Sequence, residues 1–207
     1  WFYGLNGFLA LLQRAEECLL LYRNRGTEDG VKDTPRCDVG AWRARAVKVA
    51  LVHDWLIGNA GGERVLLDFH EIWPDAPIYT LVYDRQRAPS WTHACDVRTT
   101  ALQKVPGAVS HHKLLLSWMP RAWEALDLTG YDLVVSSCMS CCKGVLTRPD
   151  ALHVCYCHSP IRYVWDLYYE YLEGTDPVRR AAMKRVIPKV REWDFLAAQR
   201  VDEFVSR

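Results

Sequence analysis

Three short stretches of the chain hold residue types able to bind or transfer a charged group. The first is Val52-His53-Asp54, an apolar run ending in an imidazole and a carboxylate, followed by Gly58-Asn59-Ala60-Gly61-Gly62-Glu63-Arg64. Glycine at such a turn lets a ligand approach the backbone. A helix opening there offers unpaired N–H groups and a partial positive charge, the arrangement that holds phosphate. The stretch has neither G-x-G-x-x-G spacing nor a Gly-Lys-Ser/Thr ending, so nicotinamide enzymes and phosphate-loop NTPases lose support. A tight strand-to-helix turn would also account for Gly61 and Gly62.

The second stretch runs from Cys157-His158-Ser159-Pro160-Ile161 through Arg162-Tyr163-Val164-Trp165-Asp166, directly after an apolar run. His158 can position or polarise a hydroxyl, Arg162 can neutralise phosphate, and Tyr163 and Trp165 can stack on a sugar or lipid face. The third, Ser136-Ser137-Cys138-Met139-Ser140-Cys141-Cys142-Lys143-Gly144, offers Lys143 to an anionic group, or simply as a surface lysine. Cys138-x-x-Cys141 with Cys155-x-Cys157 supplies four thiols for a tetrahedral zinc site. Against zinc, Cys155 and Cys157 lie in an apolar run, where cysteine packs as a small core residue.

These stretches need elements to converge them. From Val47 onward, short apolar runs alternate with helical patterns, which predicts an α/β fold: a Rossmann-like parallel sheet with helices on both faces. Candidate strands are 47–52, 77–82, 131–136, 152–157 and 201–206. A helix is expected over 61–72, where Val65, Leu66, Phe69 and Ile72 fall at helical spacing and Pro74 stops the run. Another is expected over 114–126, bent or interrupted by Pro120. A third starts at Asp176-Pro177 and runs to about Gln199, since Asp caps free donors and Pro suits a first turn. Its Arg179, Arg180, Lys184, Arg185, Lys189 and Arg191 precede its first acid, Glu192, and suit either peripheral contact with anionic lipid or plain solvation. In an open parallel sheet, ligands gather at the carboxyl ends of the strands, where Gly61, Gly62 and His158 all fall.

With 207 residues, half of them hydrophobic and a quarter charged, the chain has material for a full core. Its 26 Lys and Arg against 25 Asp and Glu give no global field for nucleic acid. The eight cysteines, some adjacent or in apolar runs, read as reduced thiols of a cytosolic protein rather than a disulfide scaffold. Residues 1–46 differ in texture: an apolar start interrupted by Arg14, Glu16 and Glu17, then a polar stretch from Asn24 to Gly40 that reads as a linker. Residues 1–22 suit a short amphipathic helix, and no secretory signal or membrane span is evident. We place a domain boundary near Ala46. The Trp1 start and the strand-like Val201–Arg207 ending are the expected look of a fragment.

Taken in order, Val47-Lys48-Val49-Ala50-Leu51-Val52-His53-Asp54-Trp55-Leu56, Gly61-Gly62-Glu63-Arg64-Val65-Leu66 and Pro77-Ile78-Tyr79-Thr80-Leu81 form the first part of a familiar pattern. Tyr131-Asp132-Leu133-Val134-Val135-Ser136-Ser137, Lys143-Gly144-Val145 and Tyr156-Cys157-His158-Ser159-Pro160 continue it. The series resembles the N-terminal domain of family-4 glycosyltransferases, over residues 47–207. The resemblance implies the first half of a GT-B fold and sugar transfer, with retention, from a nucleotide-sugar donor to a glycan or lipid-linked acceptor, as in polysaccharide biosynthesis. It also implies that Gly61 and Gly62 approach the donor phosphates and that His158 sits by the reacting sugar, with Lys143 and Arg162 as further phosphate or acceptor contacts. No metal or other cofactor is expected beyond the nucleotide-sugar co-substrate, and a cytoplasmic location, including the inner membrane face, follows by family analogy. The family's Glu-x7-Glu motif belongs to a second domain. Here only Glu63 and Glu71 have that spacing, on the first helix, a false match. Two other readings remain open: a non-catalytic glycolipid- or phosphate-binding module, and a zinc-stabilised interaction domain.

Overall fold

The computed structural model describes residues 47–206, and the chain divides after Val47. The helix expected over 1–22 and the linker over 24–40 lie outside the described residues. Six strands form one sheet: β1 (Val49–His53), β2 (Ile78–Thr80), β3 (Val97–Thr99), β4 (Leu133–Cys138), β5 (Leu152–Cys157) and β6 (Glu203–Ser206). Their order is β3-β2-β1-β4-β5-β6, and every pairing is parallel. This is the Rossmann-like α/β sheet that the alternating pattern predicts. The chain works outward from β1 to β3, then returns beside β1 and works outward again. Such a reversal opens a crevice at the carboxyl ends of the two central strands.

The central strands are buried on both faces, so β1 reads Val-Ala-Leu-Val-His with every residue buried. Against one face packs α1 (Gly61–Ile72), which buries Leu66 and Phe69 and sets the Phe69 ring edge-on to Tyr156 of β5. The other face carries Ala50, Val52, Val134 and Cys155. It is covered by Met119 and Trp123 of α3 (Met119–Glu124) and by Ile187 and Val190 of a long helix, α5 (Pro177–Ala198). The described residues also include two short helices, α2 (Ala108–His111) and α4 (Tyr168–Glu173).

Asp176 caps α5 as expected: its Oδ1 accepts the N–H groups of Val178 and Arg179, with Pro177 in the first turn. Pro188 lies inside α5 on its exposed side, where the freed carbonyl can be met by water, and the helix continues through it.

Some expectations change. The helix expected over 114–126 is a 3₁₀ turn, His112–Leu115, followed by the separate α3, with Pro120 in its first turn. Of the two outcomes expected at Pro120, interruption is the one found: proline starts the second piece, because its missing N–H would be unpaired there anyway. The strand expected at 131–136 is shifted by two residues, which brings Ser137 and Cys138 into β4. The strand expected at 77–82 ends at Thr80, and that at 201–206 begins at Glu203 on the sheet's edge. β3 has no counterpart among the expected strands; three half-exposed edge residues carry too little apolar pattern to register.

Candidate functional site

Asp54, the residue after β1, organises the far side of the crevice. Its Oδ2 accepts the N–H groups of Met139 (2.6 Å) and Ser140 (2.7 Å), and its Oδ1 those of Cys141 and Cys142 (both 2.8 Å). The chain leaving β4 is thus wound around one buried carboxylate into the 3₁₀ turn Cys142–Gly144. Burial pushes this carboxyl up to about 7, and the nearby Cys138 adds to that, while the N–H donors pull it down. Two donors on each oxygen is the geometry of an ionised carboxylate.

One residue earlier, His53 is fully buried and its Nδ1 lies 3.2 Å from the Ser137 carbonyl oxygen. A carbonyl only accepts, so Nδ1 carries the proton and Nε2 is left with a bare lone pair. Among the described residues Nε2 has no partner. Burial, reinforced by nearby His158, lowers the ring's pKa to about 4, so it is neutral at pH 7. Its Cε1–Nε2 edge abuts α1: a Cβ on Gly62 would meet His53 Cε1 at 3.2 Å and collide with Met139 Cε. A side chain at 62 would have to displace the Met139 methyl and crowd the His53 ring.

Gly61 is different, exposed with open space where a Cβ would stand. Ala60 at the cap offers no side-chain acceptor, and Glu63 Oε2 is turned back onto the Ala60 N–H (2.9 Å). The first turn of α1 therefore presents its own N–H groups outward beside an unpaired imidazole nitrogen.

His158 enters from β5. Pairing Cys138 with Cys157 carries it to the end of β4, where its N–H donates to the Cys138 carbonyl (2.8 Å) and its Nε2 lies 2.8 Å from Ser137 Oγ. Tyr156 packs edge-on against the ring at 4.9 Å. Half-burial lowers its pKa below that of a free imidazole. Ser137 thus bridges the two imidazoles, its carbonyl to His53 and its hydroxyl to His158. The sequence-predicted Gly62 and His158 are brought into one contact chain through His53 and Ser137.

The remaining candidates sit elsewhere around it. Arg162 is exposed, four positions past His158. Lys143 is buried; its ammonium donates to the Ser140 carbonyl at 3.2 Å and forms an ion pair with Asp194 of α5. Burial opposes that charge, but Cys138 and Asp194 beside it hold the lysine above its ordinary pKa. Asp194 also accepts the Trp165 indole N–H at 3.0 Å, and Arg191 donates to the Val164 carbonyl at 2.7 Å. The second and third chemical stretches are thereby tied to one helix.

The six described cysteines are free thiols. Among the described residues the four thiols weighed for zinc do not converge. The group that does is Asp54, Cys138 and Cys142, with ligand atoms within 4.8 Å of one another. This group fits a metal poorly, because all the Asp54 lone pairs already accept N–H groups.

His53, Asp54, Ser137 and Asp194 received no role from the sequence. Asp54 has a local signal, a carboxylate closing an apolar strand, but its partners lie some 85 positions on. No family model, curated protein or solved structure matches the chain.

Proposed function

We propose that residues 47–207 are the acceptor-side half of a retaining GT-B glycosyltransferase, acting on a nucleotide-sugar donor and a glycan or lipid-linked acceptor. The ordered motif series supports the family. The observation that carries the chemistry is the junction of a helix N-terminus whose cap residue offers no side-chain acceptor, an unpaired buried imidazole nitrogen and a second imidazole held by Ser137, all at the strand-order reversal.

In this reading the Gly61 and Gly62 N–H groups receive the donor diphosphate. His53, neutral and buried against Gly62, braces this turn from beneath, and His158, fixed by Ser137, faces the reacting sugar. Departure of the diphosphate builds negative charge, which backbone N–H groups and the exposed Arg162 stabilise without a metal. Lys143 reaches an anion only by leaving Asp194, so its main part is to hold the loop after β4. Among the described residues, no helix is long and apolar enough to cross a membrane. A peripheral cytoplasmic-face location suits such an acceptor.

The test is calorimetric titration of the chain with UDP, GDP and pyrophosphate, alone and in Gly61→Asp. That variant has room for its side chain, and an acid suits a helix first turn, so it keeps the fold while repelling the anion. A diphosphate affinity that falls about tenfold or more supports the site; equal affinity in both proteins overturns it. In a chain that also carries a donor domain, His158→Ala slows transfer from the nucleotide sugar while diphosphate binding persists.

A second reading is a non-catalytic phosphate- or glycolipid-binding module, since the first-turn N–H groups of α1 can hold a phosphate without any transfer. Diphosphate binding lost in Gly61→Asp, with transfer indifferent to His158→Ala, would select it.

A further inference from the structure

Among the described residues, three pairs of exposed large apolar side chains lie close together in the chain, and their charge settings differ. Tyr169 and Tyr171 stand among Asp166, Glu170, Glu173 and Asp176. Phe195 and Leu196 follow Glu192 at the far end of α5. Leu114, 65% exposed, and Trp118, 56% exposed, lie between Asp96 and Glu124, a segment without a single acidic residue.

That segment carries Arg98, Lys104, His111, Lys113 and Arg121. Its outward face follows from burial. Leu114 on the 3₁₀ turn, Trp118 just before α3 and Arg121 in the first turn of α3 are exposed, whereas Leu116, Met119 and Trp123 are buried. Lys113 and His111 are exposed alongside Leu114. His112 turns inward, its ring 4.6 Å from that of Trp55, the residue that follows Asp54. The amphipathic segment thus flanks the crevice at the carboxyl end of β1.

We propose that residues 111–121 dock on an anionic lipid bilayer, with Leu114 and Trp118 entering the interface and Lys113 and Arg121 meeting lipid headgroups. Trp at a water–hydrocarbon boundary, an aliphatic neighbour and flanking cations without acids are the features that bind such a surface. Nucleic acid is less suited, since Leu114 offers nothing to a phosphate or a base edge.

The basic helix α5 is the weaker candidate. Arg180 is spent on the carbonyls of Leu172, Glu173 and Thr175, Arg191 on Val164, and Arg179 on Asp176. The proposal does not rest on glycosyl transfer, although docking there would bring the crevice to a lipid-linked acceptor.

Flotation of the full chain with phosphatidylcholine vesicles, with and without phosphatidylglycerol, at low and high salt, tests it. The expected result is binding only to the anionic vesicles, weakening as salt rises. Leu114→Ser/Trp118→Ser and, separately, Lys113→Glu/Arg121→Glu each reduce the partition coefficient about tenfold or more. Both pairs are exposed, so circular dichroism is unchanged. Lys184→Gln/Arg185→Gln/Lys189→Gln binds like the parent. Gly61→Asp also binds like the parent, which separates this surface from the diphosphate site.

Failure of the parent to float with anionic vesicles overturns the proposal. So does full binding by both pairs of variants, loss of binding in the α5 variant, or a Leu114- and Trp118-dependent dimer that ignores lipid.

Discussion

Asp54 illustrates how much one side chain can set. Asn in its place keeps the size but offers one carbonyl oxygen to four N–H donors and turns an NH₂ group against two of them. Asp54→Asn should cost about 3 kcal/mol or more by chemical denaturation, with loss of the His53–Ser137–His158 alignment. The paired glycines separate in the same way. Gly62→Val forces Met139 and His53 aside and should cost about 2–3 kcal/mol, whereas Gly61→Ala should leave the melting temperature unchanged or slightly raised. His153 gives a pH prediction: it is buried, bonded to Ser136 Oγ at 2.9 Å, and burial lowers its pKa to about 4. Because the unfolded ring takes up its proton first, near 6.5, the folded state is favoured above that pH and loses ground as pH falls towards 4. Between pH 7.5 and 5, the parent should lose about 2 kcal/mol relative to His153→Gln. Parallel stability curves for the two proteins would remove the effect.

Among the elements, α5 does most to shape the crevice from outside it. Lys143–Asp194 joins it to the turn after β4, Asp194–Trp165 to the loop after β5, and Trp193 packs on Gly144 while its indole N–H reaches Glu124. Lys143→Met leaves a buried carboxylate without its cation and should lower stability by about 3–5 kcal/mol. The double variant Lys143→Met/Asp194→Leu should recover most of that, because an apolar pair asks for no desolvation of charge. If the double variant is as unstable as the single, the pair is not what holds α5. The same elements show how far local pattern reaches. Asp176-Pro177 announces α5 within two residues, since capping is a short-range event. The break between His112–Leu115 and α3 is decided by which face of each piece finds the core.

For the whole molecule, the acid-free segment and α5 both carry an excess of cations and both pack on the same face of the sheet. The molecule's thiols report on integrity as a unit. Cys138, Cys141, Cys142 and Cys155 are buried in the same core, so iodoacetamide should not modify them in the native chain. All four should become reactive over one denaturant transition, read by peptide mass spectrometry. Stepwise labelling would mean that the turn after β4 opens ahead of the sheet.

The alternation of apolar runs with amphipathic segments was enough to declare a parallel α/β sheet, because a strand covered on both faces must be apolar throughout and a covering helix needs only one apolar side. The glycines that open α1 and the histidine after β5 were legible as strand-end features for the same reason. Tertiary structure alone decided that Gly62, not Gly61, is crowded by its neighbours, that Lys143 is spent on Asp194, and that Ser137 joins His53 to His158. Each depends on partners brought across the sheet by register, and a one-residue slip of β4 would turn Ser137 to the opposite face. Sequence spacing specifies which face a side chain takes within its own element; only the packing of elements specifies what it meets there.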